Sequence, residues 1–190
     1  MSQRIRRWFE DSAETKLKFV AEHADRIQLL ANLLAETFRK GNKVLFFGNG
    51  GSAMDASHLA AEFVGRYRRE RAPLAALSLS ADQAKLTCIA NDYGYDHVFS
   101  RQVEGLGRPG DVLALFTTSG DAANLEKALD AARAKGIKVL CLLGKTGGRL
   151  KGKGDWEIWV QSSRTERIQE AHQLILHAIL EAVERAFPPP

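Results

Sequence analysis

Val44-Leu45-Phe46-Phe47-Gly48-Asn49-Gly50-Gly51-Ser52-Ala53-Met54-Asp55-Ala56-Ser57-His58-Leu59-Ala60-Ala61-Glu62 is the stretch on which the reading of this chain turns. The apolar run 44–47 reads as a short buried strand. Gly48, Gly50 and Gly51 permit a sharp turn with close backbone approach to a ligand. Ser52 is a good residue to cap a helix, and Asp55 falls in that helix's first turn, where an acid suits the positive end of the dipole. Strand, glycine turn and helix start together make a nest of outward N–H groups, a seat for an anion. His58 and Glu62, four residues apart, share one helix face beside that seat. Taken alone, such a pair is commonest as an ordinary surface pair.

Outward from this stretch, the apolar residues of 3–20 and 25–40 have helical spacing, and the pattern predicts two N-terminal helices. A strand over 43–47 leads into a helix over 52–64. Strands are expected at 74–79, 112–116, 137–143 and, as an edge, 155–160. Helices are expected at 81–90, 96–106, 122–135 and 165–187, with a turn at Asn91-Asp92-Tyr93-Gly94. Strand–helix alternation with short turns argues an α/β fold whose parallel sheet is covered on both faces. In such sheets ligands bind beyond the carboxyl ends of the strands, where both the 48–52 turn and the hydroxyl-rich turn Thr117-Thr118-Ser119-Gly120-Asp121 fall. The whole chain, 1–190, reads as one domain: N-terminal helices over 1–40, an α/β core over 41–187 and the Pro188-Pro189-Pro190 tail.

Composition narrows the class less. Hydrophobic residues at 45% and charged residues at 26% are ordinary for a soluble protein of this size, and a formal charge of +4 suits a small anionic ligand as well as nucleic acid. No apolar run is long enough for a bilayer and Met1–Arg7 lacks a signal core, so the expectation is a cytoplasmic protein with no membrane or nucleic-acid partner. Cys88 and Cys141 lie among apolar residues and are expected to be buried free thiols. Arg66-Tyr67-Arg68-Arg69-Glu70-Arg71 is either a solvated basic loop or a phosphate contact. A dinucleotide site is excluded, because Ala53 stands where the third glycine of GxGxxG belongs; a nucleotide-triphosphate loop is excluded for want of the Lys-Ser/Thr pair. Two short hydroxyl-bearing turns fit a monophosphate. In the last helix His177 cuts into a stripe expected at Ile168, Ala171, Leu174, Ile175, Ala178, Ile179, Ala182 and Val183, and a buried histidine there needs a partner.

Five blocks in order carry a resemblance: GNGGSAMDASHLAAE, the NDYG turn, RQVEGLGRPGDV, the TSG turn, and RIQEAH followed by His177. Over nearly its whole length the chain resembles the phosphoheptose isomerase family of the sugar isomerase (SIS) superfamily. The resemblance implies a three-layer αβα sandwich around a five-stranded parallel, flavodoxin-like sheet, with N-terminal helices used for oligomerisation. It implies interconversion of D-sedoheptulose 7-phosphate and D-glycero-D-manno-heptose 7-phosphate through an enediol(ate), in heptose synthesis for bacterial lipopolysaccharide. It further implies a homotetramer and one zinc ion per active site. Residue by residue, the zinc ligands would be His58, Glu62, Gln169 and His177, with Glu62 and His177 as the catalytic pair. The substrate would meet Asn49, Gly50, Gly51, Ser52, Glu62, Asn91, Asp92, Thr117, Thr118, Ser119 and Gln169. A non-catalytic SIS relative that binds a replication initiator protein is the alternative; Glu62 and His177 argue for the enzyme.

The chain departs from the family where the second turn usually reads Ser-Thr-Ser-Gly-Asn-Ser. Thr117 keeps a hydroxyl. Ala122 loses one, which costs about 1.5–3 kcal/mol if it faced the phosphate. Asp121 either brings a negative charge to that phosphate or points away and caps helix 122–135. Glu166 stands where Asp is usual. Gln169 and His177, eight residues apart, are separated by about 12 Å along a straight helix and are poorly placed to share one ion, so either the helix is broken or the ligand set mixes residues from two chains. The expectation is the second, a site shared between subunits, with His177 completing a neighbour's site.

Overall fold

The computed structural model describes residues 1–189. Helix α1 (Ser2–Arg39) precedes β1 (Val44–Gly48), α2 (Gly51–Val64), β2 (Ala76–Ser78), α3 (Gln83–Tyr93), α4 (Ser100–Leu106), β3 (Val112–Phe116), α5 (Ala123–Ala134), β4 (Lys138–Gly144), β5 (Trp156–Val160) and α6 (Thr165–Arg185). The strands form one parallel sheet in the order β2-β1-β3-β4-β5. This is the five-stranded α/β architecture expected, in the flavodoxin-like order. The chain leaves β1 to one side for β2 and returns to its other side for β3, so the switch point lies between β1 and β3.

Both faces of the sheet are buried because successive strand residues point opposite ways. Phe46, Ala114, Phe116, Leu142 and Ile158 pack with α1, α2 and α6. Leu45, Phe47, Leu113, Leu115 and Leu143 pack with α4 and α5, and Leu86 and Ile89 of α3 lie against them. The central strands β1 and β3 are buried at every position, which is why they read as unbroken apolar runs.

Several boundaries differ from the sequence reading. The two N-terminal helices are one helix of 38 residues, because Ala21-Glu22-His23-Ala24 contains no residue that would break it. Ser52 lies inside α2; Gly50, with φ +56°, stands at its N-terminus, and no side chain caps it. Asn91 and Asp92 belong to α3, which runs on until Gly94 turns the chain at φ +87°. The helix expected at 96–106 is a 3-10 turn at Tyr95–His97 followed by α4. The buried stripe of α6 is rotated: Leu174 and Ala178 are exposed, whereas His172, Leu176 and Leu180 are buried. Cys141 is buried, and burial pushes its thiol up to about 12, but Cys88 is exposed on α3. Among the described residues no helix is long and apolar enough to cross a membrane.

His172 is fully buried, and its Nε2 lies 3.1 Å from the Leu143 carbonyl oxygen. A carbonyl only accepts, so Nε2 carries the proton; Nδ1 is buried without a partner. Burial lowers this imidazole from 6.5 to about 4, against the weaker pull of the Leu143 bond. An unfolded chain thus takes up a proton near pH 6.5 that the folded chain refuses until about pH 4, and stability falls as pH drops through that window. Asp55, raised by burial to about 6 from 3.8, acts with the opposite sign: acidification relieves its buried charge. His172→Gln keeps the bond to Leu143 and cannot titrate. Urea midpoints measured from pH 7 to 4 are expected to fall less steeply for the variant than for wild type; equal slopes would sink the assignment.

Candidate active site

The rim of the switch point is built by backbone before any side chain acts. Gly48 ends β1 against β3, where a Cβ would meet the Phe116 carbonyl at 2.8 Å. Gly48 is held by Ser80, whose hydroxyl accepts its N–H at 3.2 Å and donates to its carbonyl at 2.9 Å. At Gly51 a Cβ would collide with the Gln169 amide, so α6 lays Gln169 directly over the N-terminus of α2. Asn49 exchanges two amide hydrogen bonds of 3.0 Å with buried Asn124 on α5, and its Oδ1 also accepts from the Tyr95 hydroxyl at 3.2 Å. These bonds lock the β1 turn to the β3 turn. Asn124, Tyr95 and Ser80 carried no local motif and were not legible in the sequence.

In the second turn, Thr117 extends the sheet by donating to Leu142, and its hydroxyl accepts the Gly120 N–H at 3.0 Å. Gly120 has φ +76° and lies against Gly147, which leaves no space for a side chain. The N–H groups of Thr118, Ser119 and Ala122 find no protein acceptor among the described residues. They lie at the start of α5, where bare N–H groups and the helix dipole favour an anion.

Asp121 does not cap α5, the second of the two courses the sequence left open. Its Oδ1 accepts the Arg149 backbone N–H at 3.1 Å, and the Arg149 guanidinium bonds to the Asp121 carbonyl and lies 3.4 Å from Glu126. The carboxylate therefore ties the turn to the Gly148–Leu150 segment and does not cap α5, whose N-terminus has no side-chain cap.

Along α2, the Nε2 atoms of His58 and His177 are 3.1 Å apart with their rings edge to face, and Glu62 Oε1 lies 3.9 Å from His58 Nε2. This corrects the expectation that His177 completes a neighbour's site, since it meets His58 of its own chain. Helices α2 and α6 run alongside in the same sense, so Gly51 faces Gln169 and, seven residues on, His58 faces His177. The spacing argument itself stands: Gln169 lies about 10 Å along α2 from His58. Asn91 and Asp92 are exposed at the end of α3, bonded to each other at 2.8 Å and not to the rim turns.

Among the described residues, no three His, Cys, Asp or Glu side chains already cluster as a metal site. The donor chemistry nevertheless fits zinc. Two imidazole nitrogens at 3.1 Å lie close to the edge of a tetrahedron with Zn–N bonds of about 2.0–2.1 Å, and the Glu62 carboxylate lies 3.9 Å from one of them.

The basic run after α2 is exposed at Arg66, Arg68 and Arg69 and buried at Arg71. Arg71 is buried; its guanidinium donates to the carbonyls of Glu62 and Phe63, both at 2.8 Å, and of Ala72 at 3.1 Å, closing the end of α2. Its Nε lies 3.5 Å from Glu184 on α6. Burial pulls the guanidinium below its usual range, and Glu184 opposes that.

The chain matches the SIS domain family over residues 7–144. It is 43% identical, over 100% of its length and 98% of the relative's, to the phosphoheptose isomerase of Shewanella frigidimarina. With that of Yersinia pestis strain Pestoides F it shares 46% identity over 95% of each chain. Among solved structures it is similar to the phosphoheptose isomerase of Neisseria gonorrhoeae, with a TM-score of 0.88, 39% identity and coverage of 97% and 98% of the two chains. That of Francisella tularensis gives a TM-score of 0.93 at 33% identity, covering 96% and 97%.

Proposed function

From its membership of the SIS-domain family, within which this chain belongs to the phosphoheptose isomerases, we propose that it interconverts D-sedoheptulose 7-phosphate and D-glycero-D-manno-heptose 7-phosphate. The observation that carries this reading is identity above 40% over the full chain. The geometry accords with it: the glycine turn at the start of α2 lies about 10 Å along that helix from His58, which stands beside His177 and Glu62.

In this reading the N–H groups of Thr118 and Ser119 and their hydroxyls grip the phosphate, aided by the start of α5. Asn49, clamped by Asn124 and Tyr95, fixes the rim that orients the sugar. Glu62 removes the proton that must move between C1 and C2, and His177 exchanges the hydroxyl proton as the enediol(ate) forms and collapses. His58, Glu62 and His177 would hold zinc, which when bound supplies charge to stabilise the developing oxyanion. Gln169, expected as the fourth ligand, sits at the phosphate end of its own α2, so a neighbouring chain's copy is the one to complete the set. That accords with a homotetramer, with α1 presenting exposed Ile5, Trp8 and Phe9 for assembly. A cytoplasmic role in heptose synthesis for lipopolysaccharide belongs to the same proposal. No observation favours the replication-initiator-binding alternative.

The test is turnover of sedoheptulose 7-phosphate by purified protein, before and after chelation and with zinc restored. Turnover that falls at least tenfold on chelation and returns with zinc is expected. No turnover in any condition would overturn the proposal; turnover indifferent to chelation would remove zinc from it.

A further inference from the structure

The segment after α2 crosses to α6 as a strap, and it carries one side chain into the site. The Tyr67 ring lies stacked on the His177 imidazole, with centroids 5.5 Å apart and 18° between the planes. An imidazole turns easily about its last side-chain bond, whose torsion is broad. A stacked ring removes that freedom, and His177 in turn stands edge-on to His58 at 83° with the two Nε2 atoms opposed.

The strap itself is anchored by charge buried beneath it. The Glu184 carboxylate accepts three successive backbone N–H groups, those of Tyr67, Arg68 and Arg69, at 3.1, 3.0 and 3.0 Å. Arg71 completes the anchor beside Glu184 and simultaneously holds the carbonyl of Glu62. Glu184 lies seven residues beyond His177 on α6, and Glu62 lies on α2. One buried ion pair thus sets both the Tyr67 strap and the end of the helix that bears Glu62.

We infer that Tyr67 is a positioning residue for His177: its ring, placed by the Arg71–Glu184 pair, fixes the imidazole plane so that Nε2 faces His58. The ring face does this and the hydroxyl does not, since the hydroxyl makes no hydrogen bond to the described residues. The inference rests on the proposed function: its kinetic arm on the isomerase reading and its metal arm on zinc binding at His58, Glu62 and His177.

Three variants test it: Tyr67→Phe keeps the stacked ring, Tyr67→Leu keeps apolar volume without a ring, and Tyr67→Ala removes both. Tyr67→Phe is expected to retain kcat within about twofold of wild type, whereas Tyr67→Leu loses about tenfold or more in kcat with little change in KM. Affinity for zinc alone, measured by competition with a chromophoric chelator, is expected to weaken about tenfold in Tyr67→Leu and not in Tyr67→Phe. Should Tyr67→Ala unfold, the leucine variant still decides. Wild-type behaviour of Tyr67→Leu in both measurements overturns the inference, and so does a phenylalanine variant as impaired as leucine. A wild-type protein without isomerase activity, but with zinc binding that depends on the ring, would sink the functional reading and leave this one standing.

Discussion

Glu62→Gln is expected to lower turnover of sedoheptulose 7-phosphate by about 10²–10⁴-fold, the range for losing a positioned general base. Glutamine keeps the length and shape of the side chain and cannot take a proton. The position tolerates the change structurally: Glu62 is only partly buried, and its one tight tie, the 2.8 Å bond from Arg71, is made by its backbone carbonyl. The melting temperature should therefore stay close to wild type, and KM should move far less than kcat if, as proposed, the phosphate is gripped by the rim turns rather than by Glu62. A variant within threefold of wild type in kcat would show that another group moves the proton.

Glu184→Ala is expected to destabilise the fold by about 3–5 kcal/mol, the cost of leaving a buried charge without its partner. Arg71 and Glu184 have side chains 0% and 1% exposed, so neither can turn to water when the other is removed. The loss goes beyond the ion pair. Three backbone N–H groups of the strap lose their acceptor, and the end of α2 loses alignment with α6. Arg71→Ala should cost a similar amount, and the double variant less than the sum, since each single change already breaks the shared network. Urea unfolding of the three variants measures this. A loss below about 1 kcal/mol in Glu184→Ala would mean that water replaces the pair without difficulty.

Much of the site was legible residue by residue. The glycine turn at 48–51 announced itself because close strand contact and positive φ exclude side chains there, and Gly48 and Gly50 bear that out. The turn at Thr117–Gly120 was recognisable from its hydroxyls at a strand end. His58 and Glu62 were placed on one face by helical period alone. Groups that act by distant pairing left no such mark. Glu184 reads as one more acid near the end of an amphipathic helix, yet it is nearly inaccessible because three N–H groups 115 to 117 residues away converge on it. His172, which the sequence singled out only as part of RIQEAH, is the fully buried histidine, while His177, which the sequence marked as buried, is partly exposed.

By itself the sequence determined the parallel α/β sheet, the glycine-rich and hydroxyl-rich turns at its switch point and the spacing that separates Gln169 from His177 along one helix. The tertiary structure alone decided which of those two stands by His58, how the strap lays Tyr67 on His177, and where Asp121 points. Periodicity along one helix fixes which residues share a face. The axial register between two helices, and the course of a loop between them, depend on packing and buried charge contributed from elsewhere in the chain.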